Sequence, residues 1–287
     1  MYITPLVRRF FESRVRTIQT FAHEAETIQR GVLQRLLRQA APTLWGEQYA
    51  FAQLRGYEDF AERVPLTDYE SLKDHIDRMR RGESSILWPG KVRWYAKSSG
   101  TTNDKSKFIP ITSQGLQRVH YAGGRDSVAL YLHHHPESRM FAGKGLILGG
   151  IHQPNYNSPT ALVGDLSAIL NENASPFVRL FRVPKKETAL LADFEEKRDR
   201  IARETMHANV TSISGVPSWM MAVLMRMIEI TGANNISEVW PNLEVFFHGG
   251  VAFTPYREQY QRIIPSARMN YMETYNASEG FFGLQSD

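Results

Sequence analysis

From Val92 onward, short apolar runs of strand length alternate with longer stretches whose apolar residues recur every three or four positions. No other feature restricts the fold as much, because strands separated by helices build layered sheets with helices on their faces. The pattern predicts strands near Val92–Ala96, Phe108–Ile111, Gly145–Leu148, Val210–Ile213, Leu243–Phe247 and Arg268–Tyr271. It predicts helices near Ser113–His133, Asp193–His207, Pro217–Thr231 and Pro255–Ile263. The expected class is α/β, and such sheets take ligands at the carboxyl ends of their strands. Upstream, from about Pro5 to Ala41, Phe10, Val15, Ile18, Phe21, Ala25, Ile28, Val32, Leu36 and Leu37 recur at helical spacing. That spacing predicts one long or two shorter amphipathic helices. Glu24 and Glu26 interrupt the arginines of the opposite face, which favours core packing over a membrane surface. The expected organisation is a helical segment over residues 1–90 packed on an α/β region over residues 91–287.

Composition serves mainly to exclude. A chain of 287 residues that is 42% hydrophobic can bury a sizeable core. Its net charge of +4 is spread among 30 acids without the dense basic stripe of a nucleic-acid binder. The local runs Arg78-Met79-Arg80-Arg81 and Lys185-Lys186 read as solvated faces. There is no cysteine, which rules out disulfides and thiolate chemistry and fits a reducing cytosol. Met1 to Phe11 carries charges and lacks the pattern of a secretory signal. No run of about 18 apolar residues exists, so a cytoplasmic protein without a membrane partner is expected.

The chemistry concentrates in Ser98-Ser99-Gly100-Thr101-Thr102-Asn103-Asp104-Lys105-Ser106-Lys107, beside an apolar strand. Successive Ser, Gly and Thr residues can turn backbone N–H groups and hydroxyls toward one anion, and a lysine adds a point charge. Each hydrogen bond to a charged group contributes about 1.5–3 kcal/mol, so a few hold a triphosphate. A polar β-turn between strands is the plain alternative for such a cluster. The segment is not the Gly-x4-Gly-Lys-Ser/Thr loop, since no glycine precedes the lysine at that spacing.

Two further segments point the same way. Tyr275-Asn276-Ala277-Ser278-Glu279 offers a planar ring for a purine, a hydroxyl, and a hard carboxylate oxygen suited to magnesium. Ser followed by Glu is also an ordinary helix start. Phe246-Phe247-His248-Gly249-Gly250 is an apolar strand ending in paired glycines, which would let a flat base approach the backbone. A strand-to-helix turn needing positive φ would explain the same glycines.

These residues carry a resemblance. The Ser-Ser-Gly-Thr-Thr…Lys order and the Tyr-x-x-Ser-Glu element resemble the signatures of adenylate-forming enzymes. With Tyr57 to Phe60, Val64 to Tyr69, Ile76 to Met79, Gly82-Glu83 and Ser214 to Trp219, the chain from about Tyr57 to its end looks like an acyl acid–amido synthetase. That family was first known as plant auxin-responsive proteins, and the likeness is to its bacterial branch. The resemblance implies the large N-terminal α/β domain of such an enzyme, preceded by a helical segment. It implies ATP and Mg2+ as cofactors, and a small carboxylic acid and an amine or amino acid as partners. The acid becomes an acyl-adenylate, and the amine then displaces AMP.

Carried onto this chain, Ser98, Ser99, Gly100, Thr101, Thr102 and Lys107 hold the β- and γ-phosphates, Lys107 being preferred to Lys105. Gly249 and Gly250 line the adenine pocket, Tyr275 flanks adenine, Ser278 meets the α-phosphate, and Glu279 holds the metal. Lys107 and Glu279 are thus the catalytic pair. Val216 and Trp219 fall where the family places its acyl pocket, and Arg125 is a candidate for the substrate carboxylate. Two departures stand out. Asp104 occupies a position where the family often has glycine, although Asn103-Asp104 can still make the turn. The ribose-binding aspartate and the small mobile C-terminal domain have no counterpart before Asp287, which suggests a truncated enzyme. An acyl- or aryl-CoA ligase of the same superfamily, or an inactive nucleotide-binding fragment, are the competing readings.

Other constellations carry less. His133-His134-His135 cannot easily converge on one ion, and Pro136-Glu137 after them reads as a helix end. Met220, Met221, Met225 and Met227 read as core filler.

Overall fold

The computed structural model describes residues 4–98 and 106–285. Contacts divide the chain into two compact units: residues 1–15, 114–152 and 165–287, and residues 16–113 with 153–164. This division does not follow the boundary expected near residue 90.

The larger unit is built on a six-stranded sheet, ordered β5-β3-β6-β7-β8-β9. Its strands are β3 (Lys144–Ile147), β5 (Arg182–Val183), β6 (Val210–Gly215), β7 (Val245–Gly249), β8 (Asn270–Ala277) and β9 (Gly280–Leu284). All neighbours are parallel except β8 and β9. Helices cover both faces, which is how a parallel sheet hides its apolar sides. On one face Leu146, Ile213 and Phe246 pack with Met220, Val223, Leu224 and Met227 of the helix Pro217–Thr231 and with Ile201 of Phe194–Thr205. On the other, Val245 and Met272 pack with Tyr131 and Leu132 of the helix Tyr121–His134. Met220 and Met227 are core residues as expected, whereas Met225 is exposed.

Local sequence sets the helix ends. Pro217 opens its helix, and Gly232 closes it at φ 67°, the start and stop that each residue's backbone favours. Asp193 accepts from the Glu196 N–H to cap Phe194–Thr205.

The smaller unit holds a three-stranded sheet, ordered β2-β1-β4, with β1 (Trp94–Ser98), β2 (Lys107–Ile111) and β4 (Leu162–Gly164). β1 runs antiparallel to β2 and parallel to β4. Tyr95 and Val163 pack on Ile76 and Met79 of the helix Tyr69–Arg80, whose start Asp68 and Ser71 fix with reciprocal side-chain bonds.

The N-terminal helix, Thr4–Ala40, leaves helical geometry at Glu24. That break resets the phase of its apolar face. Val7, Phe11 and Val15 form the inward stripe of the first part, and Leu33, Leu37 and Ala40 that of the second. Phe10, Phe21, Ala25, Val32 and Leu36, expected in the core, are exposed, and Ile18 and Ile28 are half-buried. Arg14 forms a two-pronged salt bridge with Asp126, both distances 2.6 Å.

The largest departure from expectation lies at the end of the chain. β8 runs through Ala277 instead of stopping near Tyr271, and Ala277 pairs with Gly280. Ser278-Glu279 is therefore the turn of a β-hairpin, and no helix starts there. The short strands β4 and β5 were also unanticipated, being too brief to show a period.

Candidate functional site

The residues expected to bind nucleotide fall in two groups, one on each unit. In the smaller unit, Ser98 ends β1 and Lys107 begins β2, and the two are paired across the ladder. Ser99, Gly100, Thr101 and Thr102 lie outside the described residues, as do Asn103, Asp104 and Lys105. Next to Lys107, the Phe108 N–H donates to the Tyr69 hydroxyl at 2.8 Å, which ties the hairpin to the helix Tyr69–Arg80. The Lys107 ammonium lies 5.8 Å from the Tyr69 ring centroid. It also helps hold Asp68 below the usual carboxylate range, mainly a result of the Ser71 hydrogen bonds. Two cations thus lie along this hairpin, for Lys97 sits 4.4 Å over the Tyr156 ring.

In the larger unit the candidate residues gather at the carboxyl ends of β6 and β7 and in β8. Gly249 pairs with Thr274, and a Cβ on Gly249 would come within 2.2 Å of the Thr274 carbonyl oxygen. Only a residue without a side chain allows that approach. Gly250 adopts φ +85°, and its missing Cβ would lie 3.3 Å from Val216 Cγ2. The turn after β7 thereby touches the turn between β6 and Pro217. The Thr274 hydroxyl donates to the His248 carbonyl at 3.1 Å, fastening β8 to β7 one residue before Tyr275.

Tyr275 is 63% exposed, with its ring 5.1 Å from that of Phe282, itself 59% exposed. Ser278 and the exposed Glu279 stand in the turn beyond. Glu279 is a hard oxygen donor open to solvent, which suits a magnesium ion shared with phosphates. Among the described residues no group of three or more His, Cys, Asp or Glu side chains could hold a metal on its own.

Val216 joins this cluster through Gly250, whereas Trp219 and Arg125 make their contacts elsewhere. Trp219 is 44% exposed, in the first turn of its helix, and packs on Phe194 at 5.7 Å. Arg125 is exposed and donates to the carbonyl of Gln117, which precedes its helix, at 3.4 Å. His135 caps the helix Tyr121–His134, in line with the helix end read from the histidine run.

Three buried groups near these strands were not signalled by the sequence. His248 is almost fully buried in β7 and stacks on Phe253 at 4.1 Å. Burial, aided by the Arg257 charge, pushes its pKa down to about 4. Lys197 is equally buried and donates to the Gly149 and Gly150 carbonyls at 2.7 and 3.0 Å. Burial lowers its pKa to about 8, against the pull of Asp165. His120 is bonded through Nδ1 to Asn276 Oδ1 at 2.9 Å, and burial lowers its pKa. A separation of 156 residues hides that last pair from any local motif.

Comparisons with known proteins bear on the family and the fold. The model of the GH3 family N-terminal domain matches residues 14–269. Indole-3-acetic acid-amido synthetase GH3.17 of Arabidopsis thaliana is 34% identical over 113 residues, 37% of this chain and 18% of that protein. Jasmonoyl--L-amino acid synthetase JAR4 of Nicotiana attenuata is 26% identical over 107 residues, again 37% of this chain and 18% of the relative. Among solved structures, a GH3.15 acyl acid amido synthetase superposes with a TM-score of 0.74 at 16% identity, covering 96% of this chain and 57% of that one. A structure of AtGH3.15 acyl acid amido synthetase in complex with 2,4-DB gives a TM-score of 0.75 at 14% identity, covering 94% and 56%. A 2-hydroxyisobutyryl-CoA ligase in complex with 2-HIB-AMP and CoA gives 0.56 at 14% identity, covering 90% and 50%. The fold is therefore that of the matching part of these amido synthetase and CoA ligase structures, and the chain spans about half the length of these solved relatives. With the family model matched over most of its length, the chain belongs to the GH3 family.

Proposed function

We propose that the chain is the nucleotide-binding part of an ATP-dependent ligase that activates a carboxylic acid as its acyl-adenylate and passes the acyl group to an amine such as an amino acid. The observation that carries this reading is the Tyr275–Glu279 hairpin, fastened through Thr274 to the tight Gly249 turn in a chain of the GH3 family. Relatives named as amido synthetases, and one captured with 2,4-DB, support a small organic acid as substrate.

A carboxylate is already ionised at pH 7, so it needs alignment with the α-phosphate more than it needs a base. One of its oxygens attacks the α-phosphorus while the bond to the bridging oxygen of pyrophosphate breaks. The amine nitrogen then attacks the acyl carbon, the bond to AMP breaks, and the amine proton leaves to solvent. On the smaller unit Ser98 and Lys107, with Ser99, Gly100, Thr101 and Thr102 between them, are assigned to the β- and γ-phosphates. On the larger unit Tyr275 flanks adenine, Gly249 and Gly250 admit the base, and Ser278 meets the α-phosphate. Glu279 would hold a Mg2+ ion that, when bound, neutralises phosphate charge. Val216 and Trp219 are assigned to the acyl group and Arg125 to its carboxylate. Among the described residues no helix is long and apolar enough to cross a membrane, and the absence of cysteine favours the cytoplasm.

ATP–pyrophosphate exchange, run with Mg2+ against a panel of aryl and alkyl acids, tests the reading. Exchange is expected with a restricted set of acids, and Glu279→Gln is expected to lower it about 100-fold, the scale of one lost electrostatic contact to developing charge. Wild-type exchange in that variant would remove the metal role. Products formed with amines but not with coenzyme A would separate the amido synthetase from the CoA ligase. ATP binding without exchange would leave a nucleotide-binding module only.

A further inference from the structure

We propose that His120 is a positioning residue for the nucleotide hairpin: by fixing Asn276 it sets the register of Tyr275, Ser278 and Glu279. The inference rests on the ligase reading for its purpose and on geometry for its substance. A carboxamide oxygen only accepts, so the 2.9 Å contact requires His120 Nδ1 to carry the proton and donate to Asn276 Oδ1. Asn276 is the residue after the adenine-flanking Tyr275 and lies two before Ser278. Fixing its side chain therefore holds the middle of the motif while leaving the turn open.

The surrounding backbone is shaped for this contact. His120 ends a π-helical turn, Leu116–His120, inserted just before the regular helix Tyr121–His134. The wider turn re-aims the side chains it carries, and such insertions recur at functional sites. One turn later, Gly123 provides a second seat for the same hairpin. A Cβ there would lie 2.2–2.5 Å from the Phe281 ring, so the ring packs directly on the helix backbone. His120 is 6% exposed, which excludes the water that would otherwise compete for Asn276. The hairpin is consequently gripped on both sides of its turn, by Asn276 before Ser278-Glu279 and by Phe281 after.

The register between β8 and β9 also shifts at this point, between Tyr275 and Asn276. A bulge frees a residue from strict pairing and turns its side chain, which leaves the orientation of Tyr275 dependent on what holds its neighbour. The His120 bond is that hold.

The test pairs hydrogen–deuterium exchange with ATP titration on the wild type, His120→Phe, His120→Gln, Asn276→Leu and the double variant His120→Phe/Asn276→Leu. His120→Phe fills the site but cannot donate, whereas glutamine can. Backbone exchange of residues 270–284 is expected to rise about tenfold in His120→Phe and Asn276→Leu, and the double variant should exceed neither, as one hydrogen bond predicts. His120→Gln should recover most of the protection. The ATP dissociation constant should follow the same order, about tenfold weaker in both single variants, with the urea midpoint little changed. Hairpin exchange unchanged in His120→Phe, or additive effects in the double variant, would overturn the proposal. Failure of the wild type to bind ATP would instead count against the ligase reading, and the exchange data would still decide the role of His120.

Discussion

Gly249→Ala is expected to destabilise the larger unit by about 3 kcal/mol and to weaken ATP binding with it. A Cβ at this position would stand 2.2 Å from the Thr274 carbonyl oxygen and 3.1 Å from its hydroxyl. The obstacle is backbone, so no rotamer change relieves it and β7 must separate from β8 where Gly249 and Thr274 pair. Overpacking of a fitted interior typically costs about 1–3 kcal/mol, and a clash with a strand partner belongs at the upper end. The Thr274 bond to the His248 carbonyl would break in the same movement, displacing Tyr275 next to it. Gly232→Ala supplies the scale for a purely conformational effect, since Gly232 has φ +67° and open space around its missing Cβ. That variant should lose only about 1–2 kcal/mol, the cost of a left-handed residue. Urea denaturation of both variants settles the matter. A Gly249→Ala protein no less stable than Gly232→Ala would mean that the junction between β7 and β8 yields easily to a side chain.

The parts of this molecule that were legible in the sequence are those with local causes. Pro217 and Gly232 bracket a helix whose ends follow from φ preferences, and the largely apolar run Val245–Gly249 forms a buried strand that takes His248 inside with it. Of the two explanations legible for the paired glycines, the positive-φ turn is met at Gly250, while at Gly249 the space is needed for the Thr274 carbonyl of the neighbouring strand. What stayed hidden has non-local causes. Ser278-Glu279 was open to reading as a helix start, because the pairing of Ala277 with Gly280 that makes it a turn depends on β9 adding to the sheet. Phe10 and Phe21 kept helical spacing yet are exposed, because the inward stripe of that part of the helix is the one through Val7, Phe11 and Val15. The contacts of His120 with Asn276 and of Lys197 with Gly149 and Gly150 join segments 156, 48 and 47 residues apart, beyond any local period. Tyr275, Ser278 and Glu279 were named from a motif, whereas the residues that hold them in place could be found only in three dimensions.

Acidification from pH 7 to pH 4 is expected to remove about 3 kcal/mol of stability through His248 alone. In the folded chain the imidazole lies between Phe246 and Phe253, with the Arg257 charge as the titratable neighbour that disfavours its protonation. Its pKa falls from 6.5 to about 4, equivalent to about 3 kcal/mol when the unfolded chain can take up a proton that the folded chain refuses. The sign follows: stability is full above pH 6.5, declines as pH falls toward 4, and levels off below that as the folded form also protonates. His120, lowered by burial despite its bond to Asn276, adds in the same direction. The carboxylates held low by hydrogen bonds and ion pairs, Asp68, Asp199, Glu172 and Glu238, act in a more acidic window, below about pH 4.5. Urea midpoints measured every half unit from pH 7 to pH 4 on wild type and His248→Gln isolate His248, because the carboxylate contribution near pH 4.5 and below is common to both. His248→Gln, neutral at every pH and close in size, should flatten the profile by about 3 kcal/mol across that range whatever its stability at pH 7. Parallel profiles for wild type and variant would show that His248 protonates in the folded state without penalty, and that the end of β7 opens to water well before the sheet unfolds. Because His248 immediately precedes Gly249, that outcome would also loosen the glycine turn, and ATP affinity of the wild type would then fall over the same pH range; with the imidazole kept neutral, ATP affinity should not follow its titration.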